Sequence, residues 1–215
     1  MNTLKPINTV FSVDSILDFK ELVNAKVIMN TEYGNKYTHI PPHLAYTIMP
    51  FPKESLQEGI QDLSEYIRNQ KPFKVRIENL EFEEKNNFFF VDILGDEIRR
   101  HHENITNILN KYRDNFLREK DLIRLEKGDF DSKETENLKE YGNARVFDRF
   151  KTHVTIGNFT IPNVDTTKLK DTLTEILRPI LNREIFIDNI HGVFHTDSAN
   201  SQSEMKQLWD KVFKL

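Results

Sequence analysis

His43-Leu44-Ala45-Tyr46-Thr47-Ile48-Met49 and His153-Val154-Thr155-Ile156-Gly157-Asn158-Phe159 stand 110 residues apart (153 minus 43) and read as two versions of one segment. Both are rich in strand formers, and both run up to a proline, Pro52 and Pro162, a residue with no place in a central ladder. The same offset carries on without a gap. Leu63, Glu65 and Ile67 fall on Leu173, Glu175 and Leu177, and Val75, Ile77, Asn79 and Leu80 fall on Ile185, Ile187, Asn189 and Ile190. Internal self-similarity of this kind outranks any local motif in deciding a fold.

Each copy reads as strand, helix, strand. After the proline, Leu56, Ile60, Leu63 and Ile67 keep three-to-four spacing in the first copy, as do Leu169, Leu173, Ile176, Leu177 and Ile180 in the second. Alternation then returns at Phe73, Val75, Ile77 and at Ile185, Ile187, Asn189, with Phe88 to Leu94 as a further buried strand and Lys26 to Asn30 as another. Outside the repeat, Ser12 to Asn24 reads as a capped amphipathic helix and His102 to Leu117 as a longer helix crossing between lobes. The fold class expected is α+β, with pseudo-twofold duplicated β-α-β lobes, two facing antiparallel sheets around a central cleft, and helices outside. One bilobal domain spans 1–215: repeat one over about 26–95, a connecting helix and charged segment over about 96–148, repeat two over about 149–195, and a C-terminal helix over about 200–215.

Composition narrows the chemistry. The 215 residues hold no cysteine, which removes disulfides, thiolate metal sites and cysteine nucleophiles. The hydrophobic share is lean at 38%, but 16 Phe supply bulk for a core. No apolar run is long enough to export or anchor the chain, so a cytoplasmic protein with no membrane partner is expected. A net charge of -4 argues against coating an extended nucleic acid, although it leaves room for a phosphate in a local pocket. A monomer is expected.

The duplicated histidine is the chemical core. If the two strands line one cleft, His43 and His153 confront each other across it, as general acid-base catalysis requires: one neutral imidazole takes a proton and one imidazolium gives one. Either histidine fits either role. Period-two alternation places Thr155 on the face of His153, and Lys151 and Arg149 join it if the strand starts that early. Such cations would hold a phosphodiester. Tyr46, Tyr37 or Phe159 at the rim would stack a base, and His195 at the cleft mouth is a substrate contact. The 88–90 phenylalanines read as core, and His101 and His102 as solvated. His191 and His195 lack recognised metal-ligand spacing, so no metal and no cofactor is expected.

Strand-borne His-x-Thr motifs in two copies, each followed by helix and strand, resemble the two-histidine phosphoesterase superfamily. That superfamily includes the RNA 2',3'-cyclic phosphodiesterases and the so-called 2'-5' RNA ligases. Arg-Phe-Lys-Thr-His-Val-Thr-Ile (149 to 156) is similar to its second motif, and Pro-Pro-His-Leu-Ala-Tyr-Thr-Ile-Met-Pro-Phe-Pro (41 to 52) resembles its first. The resemblance implies metal-free cleavage of a phosphodiester in a small cyclic nucleotide or an RNA terminus. His43 and His153 would be the acid and base, with Thr155 holding the phosphate. The sequence departs from the pattern at Ala45, where Thr or Ser is expected; Thr47, on the same strand face about 6.6 Å further along, is the substrate contact that would substitute for it at a longer reach. Losing one hydroxyl removes roughly 1 to 3 kcal/mol of phosphate stabilisation. A weak phosphodiesterase is therefore expected, with a nucleotide- or RNA-binding module on the same fold as the alternative.

Overall fold

The computed structural model describes residues 4–35, 40–196 and 209–214. In chain order the elements are β1 (Lys5–Ile7), β2 (Thr9–Ile16), α1 (Lys20–Glu32), β3 (His43–Pro50), α2 (Leu56–Arg68), β4 (Phe73–Glu83), β5 (Phe88–Leu94) and α3 (Asp96–Asn110). They continue with β6 (Phe116–Arg118), α4 (Glu119–Glu126), α5 (Ser132–Tyr141), β7 (His153–Asn158), α6 (Thr166–Leu177), β8 (Glu184–Ile187), β9 (Asn189–Thr196) and β10 (Trp209–Lys214). The repeat survives in the element starts: β3 and β7 begin 110 residues apart, as do α2 and α6. The fold is α+β, as expected.

One eight-stranded antiparallel sheet runs β10-β9-β2-β3-β7-β5-β4-β8. Its register shows why the two expected sheets are halves of a single curled one. Leu44 is the cross-strand partner of Val154, and Val75 is the partner of Ile185. In both pairs a residue meets its own repeat equivalent, so the pseudo-twofold axis passes between them. The lobes are thus joined at two seams. The chain from 184 to 196 serves both halves, pairing first with β4 and then, past Asp188, with β2.

Burial explains the elements that the sequence pattern misassigned. Ser12 to Asn24 is not one helix. Val10 to Ser15 are all buried, because β2 runs inside the sheet between β9 and β3, and the helix starts only at Lys20. Residues 26–30 are not a strand. They continue α1, whose buried Leu22, Ala25, Lys26 and Met29 follow helical spacing and override the local preference of Val27 and Ile28. The helix expected over 102–117 is α3, shifted to Asp96–Asn110, and Phe116–Arg118 pairs in parallel with β1. At the C-terminus, Trp209–Lys214 is a strand against β9, not a helix, and residues 200–208 lie outside the described residues.

The main core gathers Phe11, Leu44, Tyr46, Phe89, Val154 and Phe194 from the sheet with Leu22, Leu63, Ile105 and Leu173 from the helices. A small second core of Leu117, Leu138 and Ala144 belongs to the insertion that carries α4 and α5. Buried Arg113 staples that insertion through the carbonyls of Phe116, Lys139 and Glu140 at 2.7 to 3.0 Å. Gly142 lies against it at φ 73°, where a Cβ would stand 2.5 Å from Arg113 Cδ. Among the described residues no helix is long and apolar enough to cross a membrane.

His101 and His102 are buried, contrary to the expectation of solvated side chains. His102 donates through Nδ1 to the Tyr46 carbonyl (2.6 Å), accepts through Nε2 from the Phe147 amide (2.9 Å), and stacks on Phe150 at 3.8 Å. It thereby ties β3 to the turn that leads into β7. His101 packs edge-on to Tyr46 and Tyr66. Burial lowers both to about 4. A histidine with a folded pKa below its unfolded value of about 6.5 contributes stability that is complete above that pH and lost as the pH falls toward 4, up to about 3 kcal/mol each. The melting temperature should therefore drop between about pH 6.5 and 4. His102→Gln, which cannot titrate, should flatten that slope; an unchanged slope would refute the assignment.

Candidate functional site

The Leu44–Val154 pair fixes the site. Both side chains are buried in the core, so their neighbours His43, Ala45, His153 and Thr155 point to the opposite face. Antiparallel geometry then sets His43 opposite Thr155 and Ala45 opposite His153. Registers on either side extend the second pair into a row across five strands: His191, Asp14, Ala45, His153 and Asp92. The two histidines therefore share one face, offset by two residues along the strand across one strand spacing.

Each ring is held in the same way. His43 Nδ1 lies 2.9 Å from the Pro41 carbonyl, and His153 Nδ1 lies 3.0 Å from the Lys151 carbonyl, two residues back in both cases. A carbonyl only accepts, so in each ring Nδ1 carries the proton and Nε2 is the basic nitrogen. Identical ties at equivalent positions give the twofold a chemical meaning.

The environments differ. His153 meets the rings of Phe88 (5.9 Å) and Phe90 (5.5 Å) edge-on. Desolvation lowers its pKa; the Lys151 carbonyl and Asp92 oppose that shift, while the charges of His43 and Arg145 add to it. His153 is thus biased toward the neutral imidazole. Asp14 is buried on β2, bonded by Ser12 Oγ at 2.5 Å, and pushed up by desolvation against the pull of His43, Ser12 and His191. Beneath the second strand, the buried amine of Lys26 reaches the Thr155 carbonyl at 3.5 Å, and burial lowers it to about 8.

Tyr46 and Thr47 stand off the histidine face. Tyr46 is fully buried on the core face, its hydroxyl 2.8 Å from Ser15 Oγ. Thr47 is buried too, and its hydroxyl meets that of Thr106 on α3 at 3.2 Å, because a register shift between Val13 and Asp14 turns it off the histidine face. Arg149 sits in a 3-10 turn (Phe147–Arg149) ahead of β7 and pairs with Asp131 at 2.9 Å. Lys151 is exposed before the strand, where its charge bears on Asp92. Phe159 is core, Tyr37 lies outside the described residues, and His195 is placed on β9 opposite Val10.

Sequence reasoning missed Asp14, Asp92, Phe88, Phe90 and Arg145. Only the alternation of Phe88, Phe90 and Asp92 against buried Phe89 and Val91 carried a signal: it marks a strand with two different faces. The ribbon face leads from His153 past Phe90 and Phe88 to Asn158, which is paired with Phe88. There a cavity of 670 Å³ opens among Gly34, Asn35, Asn87, Asn158 and Thr160, and Asn158 Oδ1 is buried without a hydrogen-bond partner among the described residues. It lies beyond the histidines, at the far end of the same face.

A family model described as "Protein of unknown function (DUF1045)" matches residues 51–202, and the chain belongs to that family. The fold is shared with TT0787 of Thermus thermophilus, whose crystal structure matches at a TM-score of 0.54 and 14% identity over 96% of this chain and 94% of that one. Kluyveromyces marxianus Usb1 matches at 14% identity, with a TM-score of 0.48 over 98% and 99% of the two chains. The same protein with uridine monophosphate gives 0.46 over 97% and 99%. Those two scores fall below the level that establishes a shared fold. No curated protein sequence matches.

The asymmetry of the pair is measurable. In an NMR titration the His153 ring should titrate below the ordinary histidine value of about 6.5. His43→Ala should move it upward and Asp92→Asn downward, since each removes one of the opposing charges. A His153 value indifferent to both would show that the two charges do not act on it.

Proposed function

We propose that the protein is a phosphodiesterase of the two-histidine type, acting on a nucleoside cyclic phosphate or an RNA terminus with imidazoles as acid and base. The observation that carries this reading is the mirrored pair of Nδ1 ties, which leaves a basic Nε2 on each of two histidines that share one face. His153, biased toward the neutral form, takes the proton from the attacking oxygen. His43 gives a proton to the leaving oxygen. Thr155, opposite His43, contacts a non-bridging phosphoryl oxygen. Arg145 supplies the cation: its charge already acts on His153, and its guanidinium has no ion-pair partner among the described residues. Arg149 lies ahead of β7, where it pairs with Asp131. Phe88 and Phe90, half-buried and stacked at 5.3 Å, offer the aromatic face for a base.

Ala45 supports a second reading, a nucleotide-binding module without turnover. Purified protein should open a nucleoside 2',3'-cyclic phosphate or cleave a 2'-5' linkage in the presence of EDTA, with a bell-shaped pH profile. His43→Ala and His153→Ala should each cost about 100-fold or more in kcat. Arg145→Ala should raise KM more than it lowers kcat. Full activity in either histidine variant would sink the mechanism, and nucleotide binding with no turnover would establish the module.

A further inference from the structure

The twofold that equates His43 with His153 is broken at the very next site positions. Thr155 has Phe90 as its partner on β5, whereas its repeat equivalent Ala45 has Asp14 as its partner on β2. One half carries a hydroxyl beside a hydrocarbon ring; the other carries a methyl beside a carboxyl. The polar group is present in both halves, moved in one of them by one strand.

Asp14 is 6% exposed. Among the described residues it accepts one hydrogen bond, from Ser12, and has no ion-pair partner. A carboxylate taken out of water without an ion-pair partner is costly, which favours its protonated form. Burial acts on Asp14 in that direction. A neutral carboxyl keeps an O–H donor, as a threonine hydroxyl does. In the cross-sheet row, Ala45 alone separates Asp14 from His153, so their strands lie about 10 Å apart, two strand spacings. That gap admits a phosphoryl group with a hydrogen bond on each side.

We propose that Asp14 replaces the hydroxyl missing at position 45: its protonated carboxyl donates a hydrogen bond to a non-bridging oxygen of the phosphoryl group held between His43 and His153. The assignment rests on the phosphodiesterase reading and makes Ala45 a relocation of the contact. The charges that bear on Asp14 are those of His43 on β3 and His191 on β9; Asp14 in turn acts from β2 on the Tyr46 hydroxyl, and His153 lies on β7 beyond Ala45. The imidazolium charges draw Asp14 toward carboxylate, and an arriving phosphate drives it back toward the acid. Phosphate binding and retention of that proton are therefore coupled.

Titration with inorganic phosphate at about pH 6, followed by calorimetry, tests this without requiring turnover. Circular dichroism confirms that each variant is folded. Asp14→Ala should weaken phosphate about 10-fold or more, Asp14→Asn, which keeps a donor, should bind more tightly than Asp14→Ala, and Asp14→Ala with Ala45→Thr should recover affinity. Asp14→Asn should also weaken less than wild type as the pH is raised. Phosphate binding by wild type and Asp14→Ala with equal affinity overturns the role of Asp14 alone, as does Asp14→Asn binding no better than Asp14→Ala. A wild-type protein that binds no phosphate overturns the phosphodiesterase reading as well.

Discussion

The antiparallel contact of Leu44 with Val154 is the constraint on which the rest depends. Two residues that are equivalent by descent of the repeat are also neighbours in space, so the symmetry axis runs through the sheet at that point. Everything one step away inherits the consequence. Both histidines leave the sheet on the face opposite the core, at the closest approach of the two halves, and each is fixed by a carbonyl of its own chain rather than by its partner. The core supplies the counterweight, since Leu44 and Val154 can be buried only if His43 and His153 are turned outward.

Symmetry alone would give two identical imidazoles. The difference between their environments comes from the strands that do not repeat. β5 brings Phe88, Phe90 and Asp92 to His153, while β2 brings Asp14 to the side of His43. Aromatic edges drain water from one ring, and Arg145 on the insertion adds a like charge. The duplicated elements thus place the two histidines, and the unduplicated strands distinguish them.

That division also separates what the sequence disclosed from what it hid. The β3–α2–β4 and β7–α6–β8 units were legible because a fixed offset repeats their apolar periodicity, and the histidine pair followed from the offset. β2 was not legible: buried on both faces, Val10 to Ser15 has no alternation, and Ile16, Phe19, Leu22 and Val23 keep helical spacing across the loop that separates β2 from α1. α1 was lost to β-branched Val27 and Ile28. Tyr46 follows Leu44 onto the core face by plain alternation, whereas Thr47 was misplaced by a bulge, a two-against-one count that no single-strand pattern records. Asp14 and Phe90 acquire meaning only through cross-strand partners far away in sequence. The His102 strut escaped for the same reason, since its two hydrogen bonds reach Tyr46 and Phe147.

The two seams of the curled sheet have a consequence for how the chain is made. β7 is inserted between β3 and β5, and the 184–196 stretch closes the sheet against both β4 and β2. Until residues 153–158 have been synthesised, β3 and β5 each carry an unsatisfied inner edge, and neither half is a finished sheet. The site-forming contact joins residues more than a hundred positions apart, so its loop-closure entropy comes due late and folding is expected to be slow for a protein of this size. During that interval the two histidine strands are exposed edges, and each finds its proper cover in the other.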